Sequence, residues 1–241
     1  MTTNELWVCH LGTREYRAAL ALQERMRAAR QDERVPDVLL LLEHPPVYTR
    51  GRRSDPSELP MGEAWYLAQG IDLVDVDRGG RVTYHGPGQL VGYPIMRIDD
   101  VIAYLRTMED ALVATLADAG VAARARPDEG PDFTGVWAGE RKIASIGVHV
   151  SRGVTTHGFA INVCNDLQPF SWVVPCGLDG VQMTSVIKET GASGETLPLH
   201  DVRASAARRF AEAFGREAVA VEPAALEDAI APAGRPGAGA G

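Results

Sequence analysis

Short apolar runs alternate with longer amphipathic stretches along the chain. Residues 38–42 form a continuous apolar run, too short for an ordinary helix, which is typical of a strand buried on both faces. A helix is predicted from Asp99 or Asp100, as a capping residue, to about Ala119 before Gly120. Its apolar stripe consists of Ile102, Leu105, Met108, Leu112 and Leu116.

The same kind of pattern predicts the remaining elements. Strands are expected at residues 6–9, 71–76, 90–96 and 154–163, and a hairpin at residues 133–150 that turns near Gly139. Further helices are expected from a Thr13 cap to about residue 32, at residues 61–69, and from His200 or Asp201 through Phe214. The chain has no internal repeat and no domain-sized linker. Residues 1–222 are therefore predicted to form one domain, and the Ala/Gly/Pro-rich residues 223–241 a disordered tail.

Composition narrows the class of protein. The chain has 241 residues and a net charge of −8, which disfavours nucleic acid as a partner. No long apolar run or signal-peptide pattern is present, so neither a membrane span nor secretion is indicated. Three cysteines without CxxC spacing argue against a disulfide framework or a cysteine zinc site and favour the reducing cytoplasm.

A glycine-rich ribbon at residues 77–96 carries an unusual density of polar groups. Glycine pairs lie on both sides of Thr83, Tyr84 and His85, and Gln89 follows. Glycines at such spacing most often mark a β-hairpin, and the ribbon alone favours that structure. The alternative is a loop that offers backbone N–H groups and side-chain donors to a small ligand. The ribbon matches neither of the two glycine-rich phosphate-binding motifs.

Two residues stand out as candidates for nucleophilic chemistry. Cys176 lies between Pro175 and Gly177, outside any periodic segment, although most free cysteines are inert and buried. A thiol needs a nearby base or cation to react at neutral pH. Lys142 is a candidate for that group because only two of the 24 basic residues are lysines, and arginine cannot lose its proton. The alternative for Lys142 is a solvated residue at a strand end.

His85 and His157 are each followed by glycine, in segments predicted to line one pocket. A lone histidine in a strand is usually structural. Two of them in this setting indicate a supporting hydrogen-bonding role, for His157 in particular.

Residues 78–89 resemble the signature of the octanoyltransferases of the lipoate pathway, relatives of the biotin and lipoate protein ligases. Residues 44–53, the stretch from Gly135 to Gly147 and the Pro-Cys-Gly sequence at Cys176 resemble further motifs of that family. The resemblance implies a biotin/lipoate protein ligase-like α+β fold, with a mixed, mostly antiparallel sheet and flanking helices. It also implies Cys176 and Lys142 as catalytic residues, and it implies an acyl-binding set: Arg78, Gly79, Gly80, Arg81, Val82, Thr83, Tyr84, His85, Ser145, Ile146, Gly147, Gly158, Phe159 and Ala160.

The activity implied by the resemblance is acyl transfer without a cofactor or metal. An octanoyl group would pass from acyl carrier protein to Cys176, and from Cys176 to a lysine of lipoyl domains in 2-oxoacid dehydrogenase complexes or of the glycine cleavage H protein. Two alternatives stay open: an ATP-dependent lipoate or biotin ligase, and a non-catalytic acyl-carrier-binding protein. The densest basic cluster near the expected pocket consists of Arg50, Arg52 and Arg53, and it is predicted to contact the acidic carrier protein. The alternative is a solvent-exposed loop whose arginines have no binding role.

Overall fold

The structure is a computed structural model that describes residues 4–173, 181–192 and 199–231. An eight-stranded sheet in the order β11-β1-β2-β6-β10-β9-β8-β7 forms its centre, and a three-stranded sheet in the order β4-β3-β5 packs beside it. The strands are β1 Glu5–Thr13, β2 Asp37–Glu43, β3 Val47–Arg50, β4 Asp72–Asp75, β5 Thr83–His85, β6 Gln89–Ile95, β7 Arg124–Ala125, β8 Gly135–Ala138, β9 Arg141–Ser151, β10 Val154–Asn162 and β11 Glu217–Ala220. The helices are α1 Tyr16–Gln31, α2 Glu63–Ala68, α3 Val101–Asp118, α4 Val186–Thr190, α5 Leu199–Ala213 and α6 Pro223–Ile230.

The large sheet is mixed and mostly antiparallel, as expected for the α+β class. β1 pairs in parallel with β2 and β11. All the other neighbouring pairs of this sheet, along the order β2-β6-β10-β9-β8-β7, are antiparallel. The predicted fold class is confirmed.

β2 shows why the leucine run forms a central strand. Leu39 and Leu41 face one core with α3 and α5, while Leu40 and Leu42 face a second core with α1 and α6. Each fully buried leucine contributes roughly 1.5–3 kcal/mol relative to an exposed one, so both faces stabilise the sheet. Helices therefore cover both sides of the large sheet.

The glycine-rich ribbon does not form the β-hairpin that its sequence alone favours. β5 pairs with β3 in the small sheet, where Tyr84 lies opposite Tyr48. β6 pairs with β2 and β10 in the large sheet, where Tyr93 lies opposite Leu40. The turn between them carries the chain from one sheet to the other. Both edges of β6 are already paired, with β2 and β10, so β5 cannot pair with it.

Helix α3 begins as predicted, with the Asp100 carboxylate accepting hydrogen bonds from the backbone N–H groups of Ile102 and Ala103. Its stripe differs at two positions. Ile102 is 63% exposed and Leu105 is only half-buried outside the core cluster, whereas Tyr104 faces the core. Helix α1 begins later than the predicted Thr13 cap. Thr13 instead ends β1, where it pairs with Glu43.

The predicted disordered tail is wrong for residues 223–230. They form α6, which buries Leu226 and Ile230 against the core beneath α1. Leu226 and Ile230 are four residues apart, which places them on one helix face, so an apolar stripe prevailed over the Ala/Pro-rich composition. In the part of the chain that the structure describes, no helix combines the length and apolar character needed to cross a bilayer.

Candidate active site

A pocket lies between the glycine-rich ribbon and the strands β9 and β10. We call it the central pocket. Its empty space is about 510 Å³, including the part that is open to solvent. The described residues that line it are Tyr16, Arg78, Gly80, Arg81, Val82, Thr83, His85, Tyr93, Lys142, Ser145, Ile146, Gly147, His157, Gly158, Phe159 and Ala160.

Backbone hydrogen bonds hold the ribbon on both sides. The Gly79 N–H donates to the carbonyl of Val148 on β9. On the other side, the N–H groups of Arg52 and Arg53 donate to the carbonyls of Arg78 and Gly80. The ribbon is therefore fixed as one wall of the pocket.

A buried glutamate adds a further anchor that the sequence did not reveal. The Glu58 carboxylate accepts a hydrogen bond of 2.7 Å from the Arg81 guanidinium and one of 3.2 Å from the Val82 N–H. Glu58 precedes Arg81 by 23 residues, and no local pattern links the two. Its role follows only from the folded structure.

Arg78 crosses the interior beside the ribbon and is almost completely buried. Its guanidinium donates to the Thr49 carbonyl and hydroxyl and to the Gly79 carbonyl. Glycines make room for it: a Cβ at Gly51 would lie 2.7 Å from Nη1, and a Cβ at Gly147 would lie 3.2 Å from Cδ. The absence of a side chain at Gly147 therefore lets the Arg78 side chain pack against β9 at the wall of the pocket.

The strand β10 gives the pocket a close backbone wall and an apolar surface. A Cβ at Gly158 would lie 2.3 Å from the Gly92 carbonyl, so glycine permits the tight pairing of β10 with β6. Gly92 in turn lies against the Phe159 ring, since a Cβ there would be 2.1 Å from Cζ. The Phe159 ring occupies this slot, and Phe159 is also one of the residues that line the pocket.

Lys142 lies at the start of β9 and is 2% exposed. Its side chain runs past Gly135, and its Nζ lies 5.3 Å from the centre of the Trp137 ring, a cation–π contact. The backbone N–H donates to the Gln182 carbonyl, and the carbonyl accepts from the Thr184 N–H. This pairing joins the chain just before α4 to the lysine.

Cys176 lies outside the described residues, as do Pro175 and Gly177. The flanking residues that are described meet in one cluster. Val173 and Met183 are both buried there against Tyr48 and Tyr84 of the small sheet. Met183 also forms the bridge to Lys142, so one flank of the cysteine segment lies directly beside the lysine.

The lining of the pocket also includes tyrosines and histidines. Tyr16 and Tyr93 line it, although their sequence positions predicted only helix and strand core. The Tyr16 ring stacks on His85 with centroids 5.9 Å apart, and it lies 4.9 Å from His44. Such contacts join distant segments, so no spacing rule could have found them.

His157 has a strained backbone and a defined hydrogen-bonding role. Its φ is +58°, a left-handed conformation that is uncommon outside glycine. Nε2 donates to the Asp77 carboxylate at 2.9 Å, and Nδ1 faces the Tyr16 hydroxyl at 3.4 Å. Burial lowers the pKa of His157, while the Asp77 carboxylate opposes that shift.

His85 and His44 are kept neutral. Burial, together with neighbouring His44, lowers the pKa of His85 to about 3. Burial lowers the pKa of His44 to about 4. His44 donates from Nδ1 to the Arg14 carbonyl and faces the Tyr93 hydroxyl through Nε2, so it is an internal structural residue.

A chain of hydrogen bonds links His85 to the strand pairing of Lys142. His85 Nδ1 donates to the Gln89 side-chain oxygen at 2.7 Å, and the Gln89 amide donates to Asn162 Oδ1 at 2.9 Å. The Asn162 amide donates to the Thr184 carbonyl at 3.0 Å. Thr184 is bonded to the backbone of Lys142, so His85 supports the frame that carries the lysine.

The structure gathers most of the residues that the sequence singled out into the central pocket. Lys142, His85, His157 and the residues expected from β9 and β10 all line it. Gly79 and Tyr84 do not. Gly79 bonds to β9 beside the pocket, and the Tyr84 side chain folds over Gly86 into the cluster with Tyr48.

The arrangement suits a hydrophobic chain with a reactive end. The apolar lining includes Phe159, Ile146 and Val82 together with glycine backbone, and a single lysine lies among the described lining residues. A mostly apolar pocket with a few fixed polar groups is the usual form of a site for a small apolar ligand.

Comparison with known proteins agrees with this geometry. The model of the lipoyl protein ligase A/B catalytic domain matches residues 15–211. An octanoyltransferase of Solibacter usitatus is 46% identical over 86% of this chain and 92% of its own length. An octanoyltransferase of Geobacter sulfurreducens is 42% identical over 93% of this chain and 94% of its own. The solved structure of a bipartite lipoate protein ligase from Thermoplasma acidophilum shares the fold, with a TM-score of 0.75 at 22% identity over 94% of this chain and 90% of that one.

Proposed function

The chain belongs to the lipoyl protein ligase A/B catalytic domain family, and we propose that it is an acyltransferase that moves an octanoyl group onto lysines of lipoyl domains. The observation that carries the proposal is the central pocket, whose exposed surface is mostly apolar and whose lining includes the buried Lys142. Octanoyltransferases at 41–46% identity over most of the chain support the same reaction.

The first step is the loading of Cys176. Its thiolate attacks the carbonyl carbon of an octanoyl thioester on acyl carrier protein, and a new C–S bond forms. The C–S bond to the carrier breaks, and the carrier leaves as a thiol after taking up a proton. Lys142 favours the cysteine thiolate through its charge and accepts or returns the proton.

The second step is the release of the acyl group to the acceptor. The uncharged amine of the acceptor lysine attacks the acyl-enzyme, an amide forms, and the thiolate of Cys176 is regenerated. Lys142 takes the proton that the amine loses. Thioester-to-amide transfer is downhill, so the reaction needs no ATP.

The central pocket holds the octanoyl chain during both steps. Its binding residues are Arg78, Gly80, Arg81, Val82, Thr83, His85, Ser145, Ile146, Gly147, Gly158, Phe159 and Ala160, with His157 in a supporting role. The acceptors are lipoyl domains of 2-oxoacid dehydrogenase complexes and the glycine cleavage H protein, and the donor is octanoyl-acyl carrier protein. The reaction takes place in the cytoplasm.

A reaction without nucleotide tests the proposal. Octanoyl-acyl carrier protein and an acceptor lipoyl domain are mixed with the protein, with and without ATP, and the acceptor mass is followed. We expect the acceptor to gain one octanoyl group at the same rate in both mixtures. Transfer that needs ATP and free octanoate would identify a ligase, and no transfer with either donor would leave only a binding role.

A further inference from the structure

Four hydrogen-bonding residues of the central pocket pack against one another. We call them the acceptor cluster: Tyr16, His85, Tyr93 and His157. The Tyr16 hydroxyl lies 3.4 Å from Nδ1 of His157, and the Tyr16 ring stacks on His85. The ring centroids of Tyr93 and His157 are 6.4 Å apart. The hydrogen-bond partners of these groups fix where each of their protons lies.

The proton of His85 lies on Nδ1. The Gln89 amide nitrogen donates to the Tyr84 carbonyl and to Asn162 Oδ1, so the atom that faces His85 is the Gln89 oxygen. His85 Nδ1 must therefore donate to that oxygen. Burial, together with neighbouring His44, lowers the pKa of His85 to about 3, so the ring carries one proton at neutral pH. Nε2 of His85 is left as an acceptor.

The proton of Tyr93 is directed at His44. Nδ1 of His44 lies 2.6 Å from the Arg14 carbonyl and must donate to it, because a carbonyl oxygen only accepts. Burial lowers the pKa of His44 to about 4, so its Nε2 is unprotonated and accepts from the Tyr93 hydroxyl at 2.7 Å. Burial also raises the pKa of Tyr93, so this hydroxyl keeps its proton. The lone pairs of the Tyr93 oxygen are left as acceptors.

Tyr16 and His157 repeat this arrangement. Nε2 of His157 donates to the Asp77 carboxylate, which leaves Nδ1 as the acceptor of the Tyr16 proton. Burial lowers the pKa of His157 despite the Asp77 carboxylate, so the ring is neutral at neutral pH. If Tyr16 turns its proton to the neighbouring Tyr93 oxygen instead, Nδ1 of His157 becomes the open acceptor. In both arrangements the acceptor cluster offers more acceptors than the protons of the described residues fill.

The acceptor cluster lies about one octanoyl length from the amine of Lys142. Gly135 pairs with Ser145, and a Cβ at Gly135 would lie 3.4 Å from Nζ of Lys142, so the amine lies near the level of Ser145 on β9. His157 pairs with Val148, which is about 10 Å further along β9. An extended octanoyl chain, with C–C bonds of about 1.5 Å in a zigzag, spans about 9 Å. The end of the chain therefore meets the acceptor cluster when its carbonyl lies at Lys142.

We propose that the central pocket also accepts acyl chains that carry a hydroxyl group at the end opposite the thioester, such as the 8-hydroxyoctanoyl group, an inference that rests on the proposed octanoyl transfer. The hydroxyl donates its proton to the acceptor cluster. A buried hydroxyl is costly when it has no hydrogen-bond partner, and here the partners are in place. At the thioester, the C–S bond to Cys176 forms and the C–S bond of the donor breaks, as with octanoyl, and the terminal hydroxyl takes no part.

Water is the competing donor, because it can bond to the same acceptors. A terminal hydroxyl that displaces such a water replaces its hydrogen bonds, whereas a terminal methyl group does not. If the acceptor cluster retains the water, the hydroxyl is buried without a partner and the hydroxylated chain loads poorly. The two cases therefore predict opposite results.

Two small donors measure the effect of the hydroxyl. Octanoyl-pantetheine and 8-hydroxyoctanoyl-pantetheine differ in that group alone, and the loading of Cys176 by each is followed by intact mass in single-turnover reactions. We expect the loading efficiencies to lie within about threefold of each other, because the hydroxyl keeps a partner. A penalty of about tenfold or more for the hydroxyl, as in a pocket without a partner, would overturn the proposal.

Tyrosine-to-phenylalanine variants locate the contact. Tyr93→Phe removes an acceptor oxygen and keeps the ring, so the ratio of 8-hydroxyoctanoyl to octanoyl loading should fall about fivefold or more. Tyr104→Phe is the matched control, because Tyr104 is also 3% exposed but is not among the described residues that line the pocket. The ratio is taken within each protein, so a general loss of activity cancels. An unchanged ratio in Tyr93→Phe would contradict the contact.

Binding of the free acids separates this inference from the proposed transfer. Octanoic acid and 8-hydroxyoctanoic acid are titrated into the wild-type protein by calorimetry, and we expect their Kd values to lie within about threefold of each other. If the protein loads Cys176 from no octanoyl thioester, the proposed function fails, and the titration still decides the inference. Octanoic acid binding about tenfold or more tightly than 8-hydroxyoctanoic acid would overturn it.

Discussion

Gly135 leaves the space through which the side chain of Lys142 reaches the central pocket. A Cβ at position 135 would lie 2.8 Å from Cε of Lys142 and 2.5 Å from the Ala144 carbonyl oxygen. The φ of Gly135 is +133°, which side chains rarely adopt, and its N–H donates to the buried carboxylate of Glu109. Gly135 thus anchors the start of β8 through its hydrogen bond to Glu109, and its lack of a side chain leaves room for the side chain of Lys142.

Gly135→Ala should therefore damage activity more than stability alone explains. We expect a loss of about 1–3 kcal/mol in the free energy of unfolding and a fall of roughly tenfold or more in the rate of transfer. Gly139→Ala is the control, because Gly139 also has a positive φ but a Cβ there meets nothing within 4 Å. Urea unfolding and single-turnover transfer measure both effects. Equal loss of activity in the two variants would contradict the positioning role of Gly135.

Gly92 and Phe159 should behave as a coupled pair. Gly92→Ala places a methyl group where the Phe159 ring lies, so the ring must move, and it lines the central pocket. We expect KM for an octanoyl thioester to rise about tenfold with a smaller change in kcat. Adding Phe159→Leu should restore much of the binding in the Gly92→Ala protein. A double-mutant cycle measures this, and strictly additive effects would show that the two residues act independently.

Lys142→Arg separates positive charge from proton transfer. Arginine keeps a cation but does not release its proton, so alkylation of Cys176 by a small electrophile should persist better than acyl transfer. Lys188→Arg is a matched control, since it changes the other lysine of the chain at an exposed position. Wild-type transfer in Lys142→Arg would mean that this lysine supplies charge alone or does not take part.

Stability should fall as the pH is lowered below about 6.5. Burial holds the pKa of His44 at about 4 and that of His85 at about 3, whereas an unfolded histidine has a pKa near 6.5. As the pH falls, the histidines of the unfolded chain therefore take up protons before those of the folded protein. The contribution of the neutral histidines to the free energy of unfolding is fully present above pH 6.5 and is lost towards pH 4. Each histidine should contribute a slope of roughly 1 kcal/mol per pH unit.

Urea unfolding between pH 7 and pH 5 measures that slope. His85→Gln should flatten it, whereas His200→Gln should leave it unchanged because the side chain of His200 is 71% exposed. An identical slope in wild-type protein and His85→Gln would show that His85 is not buried as a neutral group.

Local sequence patterns predicted those helices and strands whose signal lies within a few neighbouring residues. The leucine run gave β2 and the Asp100 cap gave α3, because burial on two faces and helix capping are visible in a few neighbouring residues. The scarcity of lysine in the sequence also indicated Lys142 as a candidate, and this lysine is buried in the structure.

Contacts between distant segments could not be predicted in this way. The hairpin expected at the ribbon was wrong because β5 and β6 find their partners in two different sheets. Tyr16 reaches His157 from 141 residues away, and Asp77 reaches the same histidine from 80 residues away. Such relationships depend on the packing of helix α1 against β10, which no local spacing encodes.

The most direct test of the account is the mass of the protein after exposure to octanoyl-acyl carrier protein alone, without ATP and without acceptor. The account predicts a gain of one octanoyl group, mapped by peptide mass spectrometry to Cys176 and lost on adding a lipoyl domain, which then carries the group. Cys176→Ala should show neither the adduct nor the transfer. Octanoyl transfer at the wild-type rate by Cys176→Ala would contradict the covalent mechanism.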